Sequence, residues 1–304
     1  MPRTSWLRRR IGGLIRRVGI LQGQERALLL LGRLHAARVR AMGAVGSLRE
    51  VEFSVFSQFG DDGIVQWLVH HAGCTARTLI EFGVEDYRES TTRFLLMNDD
   101  WSGLVLDGSP GNVAAIRGSE YFWRHDLEAR AVFVDKDNVD GLLGGWAAGR
   151  PVDLLHIDVD GNDWWLWQAV TSITPTIVIV EYNSVFGAEQ AITVPYDPSF
   201  VRWQKHSSGL YFGASLAALV HLARDKGYAL VGSNSAGNNA YFVRREALGG
   251  PLREVSIAEG YVRSRFRESR DPEGRPTFLA GDARLAALRG LPVHDVISGK
   301  DAVL

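Results

Sequence analysis

The sequence of 304 residues predicts an α/β protein built on an open sheet with helices on both faces. From residue 50 onward, short apolar runs rich in β-branched residues alternate with helical stretches, which is typical of a parallel sheet covered on both sides. The last two runs are separated only by the turn-rich residues 233–238, so the sheet is expected to end in an antiparallel pair.

The elements follow from this alternation in chain order. Seven strands are predicted, at residues 78–84, 103–107, 131–135, 153–158, 176–182, 229–232 and 239–244. Helices are predicted between them, at residues 61–72, 90–98, 111–117, 138–147, 163–170 and 214–226. Residues 50–248 therefore form one domain. The Arg- and Gly-rich residues 249–304 are expected to be a C-terminal extension that wraps the surface.

Residues 1–49 have a different character and are expected to form basic amphipathic helices. Residues 1–40 contain ten arginines and one acid, Glu25, so this segment carries +9 while the whole chain carries −1. Apolar residues recur at helical spacing in residues 7–18 and again in residues 26–42. The segment is expected to contact a membrane surface or an acidic partner. The alternative is a helical cap whose arginines are simply solvated.

Composition excludes several classes of protein. Hydrophobic residues at 46 % and charged residues at 23 % are those of a soluble globular chain. The lone cysteine, Cys74, rules out an internal disulfide and a Cys-rich zinc site, which favours a cytoplasmic location. If the N-terminal helices bind a membrane, the protein is expected at the membrane surface. The net charge of −1 gives no general attraction to nucleic acid, so no nucleic-acid partner is expected.

The first predicted strand ends in residues suited to a nucleoside ligand. Gly83 would let the backbone approach a ligand, and a helix start follows at residues 90–92. The glycines that a dinucleotide pyrophosphate needs are missing, while Glu81 and other acids flank the loop and suit a cation such as S-adenosylmethionine. Asp107 ends the second strand, where it could hold a ribose diol or cap a helix.

Residues 156–163 form the densest polar cluster of the sequence. Strand alternation places His156, Asp158 and Asp160 on one side at the end of the fourth strand. Either Asp160 or Asn162 is expected to cap the next helix, which leaves Asp158 available for chemistry. Glu181 ends the fifth strand, so Asp158 and Glu181 could hold Mg²⁺, and a structural hydrogen-bond network is the alternative.

The connection at residues 184–213 is much longer than the ordinary link of 2–6 residues between strand and helix. Its residues Tyr196, His206 and Tyr211, with Asn183 before it, suit an acceptor rich in hydroxyl groups. A lid that packs its own aromatic residues is the alternative. His206 is one candidate for a general base, and Asp158 is the other.

Four motifs together resemble the FkbM-type S-adenosylmethionine-dependent methyltransferases. They lie at residues 56–64, 81–83, 106–109 and 157–163. The resemblance implies a Rossmann-like sheet of seven strands and methyl transfer to a hydroxyl. It places Glu81, Gly83 and Asp107 at the cofactor and Asp158 where cofactor and acceptor meet, and Gln58 of the first motif is assigned to the cofactor as well. The sequence departs from the family at Tyr87, where a small residue is usual, and at Asp160, where Glu is usual.

The function predicted from the sequence is therefore O-methylation of a hydroxyl on a sugar, a glycan or a polyketide-like small molecule. The cofactor is S-adenosylmethionine, and Mg²⁺ is a second candidate. The alternatives are a catalytically silent module that binds a nucleoside or S-adenosylmethionine, or an assembly factor, and a Rossmann-type oxidoreductase against which the missing glycines argue.

Overall fold

The computed structural model describes residues 23–304, so the first predicted basic helix, at residues 7–18, lies outside the described part of the chain. The strands are β1 (Thr78–Phe82), β2 (Ser102–Asp107), β3 (Leu127–Ala131), β4 (Leu154–Ile157), β5 (Ile177–Glu181), β6 (Ile192–Thr193), β7 (Tyr228–Ser233), β8 (Asn239–Arg244), β9 (Pro292–Asp295) and β10 (Lys300–Val303).

The main sheet has the order β3-β2-β1-β4-β5-β8-β7. Strands β1 to β5 pair in parallel, while β8 runs antiparallel to both of its neighbours, β5 and β7. This confirms the predicted Rossmann-like sheet of seven strands with its antiparallel end. The strand order reverses between β1 and β4, and a crevice at the carboxyl ends of such a pair is where open α/β sheets bind ligands.

The helices are α1 (residues 23–40), α2 (Asp61–His71), α3 (Arg93–Asp99), α4 (Pro110–Arg117), α5 (Glu120–Arg124), α6 (Val139–Ala147), α7 (Asp163–Ala169), α8 (Arg202–Lys205), α9 (Leu216–Asp225), α10 (Ile257–Gly260) and α11 (Asp282–Ala286). They cover both faces of the sheet. Ile80 and Leu155 pack in one core cluster with α6, α7 and α9, while their chain neighbours Leu79 and Leu154 pack in a second cluster with α2. Strands that are buried on both faces explain the continuous apolar runs in the sequence.

The third strand lies four residues earlier than predicted. The sequence predicts it at residues 131–135, where the run is apolar, but β3 is Leu127–Ala131. It is an edge strand that pairs only with β2, so Glu128 and Arg130 can alternate outward and ion-pair with each other at 2.7 Å. Val132 and Val134 instead leave the sheet and pack against the core beside it. The apolar run at residues 131–135 does not mark the strand, because an edge strand needs no apolar residue on its outer face.

The long connection and the C-terminal segment pack together. Strands β6, β9 and β10 form a small antiparallel sheet that the sequence did not predict. Phe200 and Tyr211 of the connection share a buried cluster with Leu288 and Val293. The 249–304 segment therefore covers the connection, and the division of the chain at residues 49 and 248 stays a prediction.

Helix α1 attaches to the domain along one face. Ala36 and Val39 are buried there, and Arg40 pairs with Asp99 at 2.5 Å. Arg93 of the domain pairs with Glu25 at 3.0 Å. This part of the basic segment packs on the domain as a helical cap, although Arg40 is ion-paired and not simply solvated.

The opposite face of α1 is apolar and exposed. Leu30, Leu31 and Leu34 lie 55 to 70 % exposed. Their spacing puts them on one stripe of the helix. No helix within residues 23–304 combines the length and the hydropathy needed to cross a bilayer.

Candidate functional site

A cavity of about 420 Å³ opens at the carboxyl ends of β1, β4 and β5. Six of the predicted site residues line it: Gln58, Glu81, Gly83, Asp158, Glu181 and Asn183. The other four, which are Asp107, Tyr196, His206 and Tyr211, do not belong to its lining. The cavity thus lies at the crevice that the strand order predicts.

Glu81 is buried and its carboxylate is fully engaged within the protein. One oxygen accepts hydrogen bonds from the Thr91 amide at 3.0 Å and faces Nδ1 of His156 at 2.8 Å. The other accepts from the Ser90 hydroxyl at 2.6 Å and from both the amide and the hydroxyl of Thr92. Glu81 therefore anchors the start of α3 and aligns β1 with β4, and its predicted contact with a cofactor stays a prediction.

His156 is a site residue that the sequence assignment did not include. It is the direct partner of Glu81 across the β1–β4 pair, and both side chains are about 4 % exposed. Burial alone would raise the pKa of Glu81, but the hydrogen bond and charge of His156 lower it. Burial alone would lower the pKa of His156, but the hydrogen bond and charge of Glu81 raise the pKa of His156 above its ordinary value. The two form a buried ion pair, and the strand register could have indicated it.

Gly83 brings two strand ends into contact. Its φ of +69° lies in the left-handed region, and a Cβ there would come 1.7 Å from the carbonyl oxygen of Asp158. Only glycine satisfies both the backbone conformation and this approach. The contact fixes the loop after β1 against the turn after β4, and both Gly83 and Asp158 line the cavity.

Three carboxylates converge at the centre of the site. Asp158, Asp163 and Glu181 each offer an oxygen, and these oxygens lie within 4.8 Å of one another. Burial and the negative charge of Asp160 raise the pKa of Asp158 to about 8. Burial and the charge of Asp158 also raise the pKa of Glu181 well above its usual range, and one of its oxygens is buried without a hydrogen-bond partner among the described residues. The cluster therefore needs a proton or a cation to offset its charge.

Asp163 holds the turn that was expected to depend on Asp160 or Asn162. Its two oxygens accept from the amides of Val159 at 2.8 Å and Gly161 at 3.0 Å. Asn162 occupies the N-cap position of α7, but its side chain forms no capping hydrogen bond. The predicted capping was wrong because the turn is satisfied by a residue inside the first helical turn, and Asp160 is left free to pair elsewhere.

Asp160 pairs with a cation that the sequence did not single out. Arg202 of the long connection donates to Asp160 at 2.6 Å and lies 3.7 Å above the ring of Phe212. Both Arg202 and Phe212 line the cavity. Nothing in the spacing of the sequence indicates this pairing, since it depends on how a loop of irregular structure folds back.

Asp107 ends β2 and contacts the loop that follows β1, outside the lining of the cavity. One oxygen accepts from the Glu85 amide at 2.8 Å, and the other from the Ser109 amide at 2.8 Å and the Asn112 side chain at 3.0 Å. Asp107 therefore joins the loops after β1 and β2. A carboxylate oxygen can accept more than one hydrogen bond, so the predicted ribose contact stays a prediction.

The acceptor residues predicted in and near the long connection are placed differently from one another. Asn183 lines the cavity, but its amide donates to the carbonyls of Leu210 and Phe212. Tyr211 is buried, with its hydroxyl bonded to a backbone carbonyl of the C-terminal segment. Tyr196 and His206 lie outside the lining, and Nδ1 of His206 bonds the Ser208 hydroxyl at 2.7 Å.

The motif at residues 56–64 contributes Gln58 and its neighbours to the lining of the cavity. Asp62 accepts from the amides of Val55, Phe56 and Ser57 at 2.6 to 2.9 Å, which folds the segment into a tight loop. Asp61, its neighbour, accepts from Asn234 and Asn239 at 3.0 Å and also lines the cavity. The motif thus ties the segment before β1 to the hairpin of β7 and β8.

The lining of the cavity is rich in carboxylates. Eight of them line it, against the guanidinium groups of Arg202 and Arg284 and the imidazole of His156. Glu89 shows the effect, because burial and the charge of Glu85 raise its pKa. A cavity with this lining favours a ligand that carries positive charge.

Comparison with known proteins supplies likenesses of overall structure only. No family model matches the chain, and no protein of curated function matches its sequence. The SAH-bound N-terminal domain of EvdMO1 aligns at 13 % identity over 66 % of this chain and 83 % of its own, with a TM-score of 0.40. An S-adenosylmethionine-dependent methyltransferase from Clostridium acetobutylicum aligns at 10 % identity over 60 % and 90 %, with a TM-score of 0.39. An O-methyltransferase from Bacillus cereus in complex with SAH aligns at 17 % identity over 72 % and 91 %, with a TM-score of 0.37.

Proposed function

We propose that this protein is an S-adenosylmethionine-dependent methyltransferase of the FkbM type. The observation that carries the proposal is the acid-lined cavity at the carboxyl ends of β1, β4 and β5, in a sheet with an antiparallel end. S-adenosylmethionine carries a sulfonium and an ammonium group and no phosphate, which suits carboxylates and a loop without the dinucleotide glycines.

The cofactor contacts are assigned to residues around the β1 loop. Gln58, Gly83 and Asp158 all line the cavity, and the missing side chain of Gly83 lets the loop after β1 contact the turn after β4. When bound, S-adenosylmethionine supplies an activated methyl group, so the protein's own task is to align an acceptor hydroxyl and remove its proton.

Asp158 is the residue we assign to that proton. Its pKa of about 8 makes the carboxylate a stronger base than an ordinary aspartate at a pH near its working range. His206 was the other candidate, but it does not line the cavity. The acceptor is a hydroxyl of a sugar, glycan or polyketide-like molecule, and Asn183 of the cavity lining is the residue we assign to it.

Mg²⁺ at Asp158 and Glu181 is the competing use of the same carboxylates. Oxygen ligands of this kind suit the ion, and it would replace the proton that the cluster otherwise needs. In that arrangement the metal, and not a basic carboxylate, would lower the pKa of the acceptor hydroxyl.

The test combines methyl transfer with two changes to the cluster. Transfer from radiolabelled S-adenosylmethionine is measured on a panel of sugar and polyketide hydroxyls for the wild type, Asp158→Asn and Asp225→Asn, a matched control on the exposed end of α9. Loss of the base should lower the rate about 10²–10⁴-fold in Asp158→Asn, measured at saturating S-adenosylmethionine so that any loss of cofactor affinity does not contribute. Asp225→Asn should match the wild type.

Two other outcomes separate the alternatives. Activity that a chelator abolishes and added Mg²⁺ restores assigns the carboxylates to the metal. Binding of S-adenosylmethionine without transfer to any acceptor of the panel favours the catalytically silent module and contradicts the proposed reaction.

A further inference from the structure

A second and larger cavity, which no sequence motif indicated, adjoins the acid-lined one. It encloses about 970 Å³ between the C-terminal segment, strand β7 and the residues that follow α1. We call it the arginine chamber, because five arginines line it: Arg49, Arg253, Arg263, Arg265 and Arg284. Glu259 is the single acid of the lining.

Several of these arginines lack a carboxylate to neutralise them. Arg253 is near Glu259 at 3.3 Å, and Arg263 donates to Asp282 at 2.6 Å. Within residues 23–304, Arg49 and Arg265 make no ion pair, and residues 1–22 contain no acidic residue. The chamber therefore carries a net positive charge, opposite to that of the cavity beside it.

Arg284 is the buried arginine of the chamber lining and is 4 % exposed. Its two terminal nitrogens donate to the backbone carbonyls of Ser264 and Phe266, while Nε has no hydrogen-bond partner in the described chain. Burial and the charge of Arg263 lower the pKa of its guanidinium. A buried guanidinium in this position is stabilised by an anion next to it.

The rest of the chamber wall is apolar. Leu48, Trp67 and Val231 contribute to it, and the indole nitrogen of the buried Trp67 also has no partner among the described residues. A ligand that fills the chamber would bury a ring or a hydrocarbon against these side chains and present an anion to the arginines. Arginine favours phosphate and carboxylate because its planar donors match their oxygens in pairs.

The two cavities share part of their walls. Ser264, Phe266 and Arg284 line both. A molecule held by its anion in the arginine chamber could therefore extend a hydroxyl into the acid-lined cavity.

From this arrangement we propose that the arginine chamber binds a phosphate-bearing ligand with an apolar or ring-shaped body, and that this ligand is the methyl acceptor. The second half of the proposal rests on the proposed function, whereas the first half does not. The phosphate could belong to a nucleoside diphosphate or to a lipid-like carrier, since both present the same chemistry to arginine.

The experiment measures phosphate binding without any cofactor. Calorimetric titrations use uridine diphosphate and octyl phosphate as probes, with uridine and octyl glucoside as uncharged counterparts. The variant R49Q/R265Q removes two exposed cations of the chamber, and R224Q/R289Q removes the same charge from exposed positions outside it. Arg284 is left intact because its backbone hydrogen bonds make it part of the fold.

The expected result is binding of at least one phosphate probe, weakened about 100-fold in R49Q/R265Q and unchanged in R224Q/R289Q. Preference for uridine diphosphate would assign the phosphate to a nucleotide, and preference for octyl phosphate would assign it to a lipid-like carrier. Failure of both probes to bind, or equal weakening in the two variants, would overturn the proposal. Absence of S-adenosylmethionine binding would contradict the proposed function alone, because the phosphate titration does not depend on it.

Discussion

Substitution of Gly83 by alanine tests whether the ends of β1 and β4 are built as one unit. The new Cβ would lie 1.7 Å from the carbonyl oxygen of Asp158, at a φ of +69°. Gly73 offers a matched control, because its φ is +67° and nothing lies within 4 Å of a Cβ built there. Both substitutions place alanine in the left-handed region, which costs about 1–2 kcal/mol. The difference between them therefore isolates the contact with Asp158.

The size of that difference follows from what must move. An ordinary contact between Cβ and oxygen needs more than about 3 Å, so the loop after β1 and the turn after β4 must separate by over an ångström. The buried pair of Glu81 and His156 lies in β1 and β4, two residues before Gly83 and Asp158, and removing one partner of such a pair costs about 3–5 kcal/mol, which is an upper limit for displacing it. We expect Gly83→Ala to lower the free energy of unfolding by about 2–4 kcal/mol more than Gly73→Ala does.

Urea denaturation followed by tryptophan fluorescence measures both free energies, and titration with S-adenosylmethionine follows on the folded variants. Gly73→Ala should bind like the wild type, while Gly83→Ala should bind weakly or not at all. Equal losses of stability in the two variants, with binding intact in both, would refute the argument that the strand ends touch.

Three further predictions concern separate parts of the molecule. The Glu81–His156 pair should stabilise the fold most between pH 4.5 and 6.5. The pKa of Glu81 is lowered in the fold, so its contribution to stability is lost as the pH falls below 4.5, and the pKa of His156 is raised, so its contribution is lost as the pH rises through the raised pKa. A constant difference in unfolding free energy between the wild type and His156→Gln from about pH 4 to about pH 9 would contradict this. Asp107→Ala should weaken S-adenosylmethionine binding by about 1–3 kcal/mol, as calorimetry would show, and an unchanged affinity in the folded variant would place the ribose elsewhere. We also propose that the exposed leucines of α1 and the +9 charge of residues 1–40 contact anionic membranes. The variant L30S/L34S should therefore sediment less than the wild type with anionic vesicles and equally with zwitterionic vesicles. Equal sedimentation of the two proteins with anionic vesicles would contradict the membrane contact and support the helical cap alone.

The sequence predicts the sheet well because burial on both faces leaves a clear pattern. Six of the seven strands of the main sheet overlap their predicted ranges closely, and the antiparallel end is where the turn-rich residues 233–238 place it. The prediction of β3 was wrong because an edge strand is not buried on both faces. Glu128 and Arg130 therefore interrupt the apolar pattern that marks the other strands. The small sheet was missed because β6 pairs with β9 across about a hundred residues of chain, and the hairpin of β9 and β10 attaches to the protein through that pair.

The site could be predicted where strand ends supply it. Glu81, Asp158 and Glu181 follow directly from the carboxyl edge of a parallel sheet. Arg202 could not be found in this way, because its position depends on an irregular loop and its partner Asp160 is one of two residues that the sequence offers as a helix cap. His206 failed to reach the cavity for the same reason, since an unusual loop length indicates a functional loop without showing which side chains face inward.

The arginine chamber was beyond sequence reasoning altogether. Its cations come from the segment after α1 and from the 249–304 extension, which are separated by the whole main domain. Only Arg284 is buried, and the exposed arginines resemble any solvated surface charge when read in the sequence alone.

Calorimetric titration of the full chain with S-adenosylmethionine, S-adenosylhomocysteine and NAD tests the central claim most directly. The acid-lined cavity predicts saturable binding of S-adenosylmethionine at one site per chain and no measurable heat with NAD, whose pyrophosphate would face eight carboxylates and a loop without the required glycines. Added salt should weaken the binding of S-adenosylmethionine, because the ligand is attracted to the cavity by opposite charge. Saturable binding of NAD, with none of S-adenosylmethionine or S-adenosylhomocysteine, would contradict the assignment of the cavity.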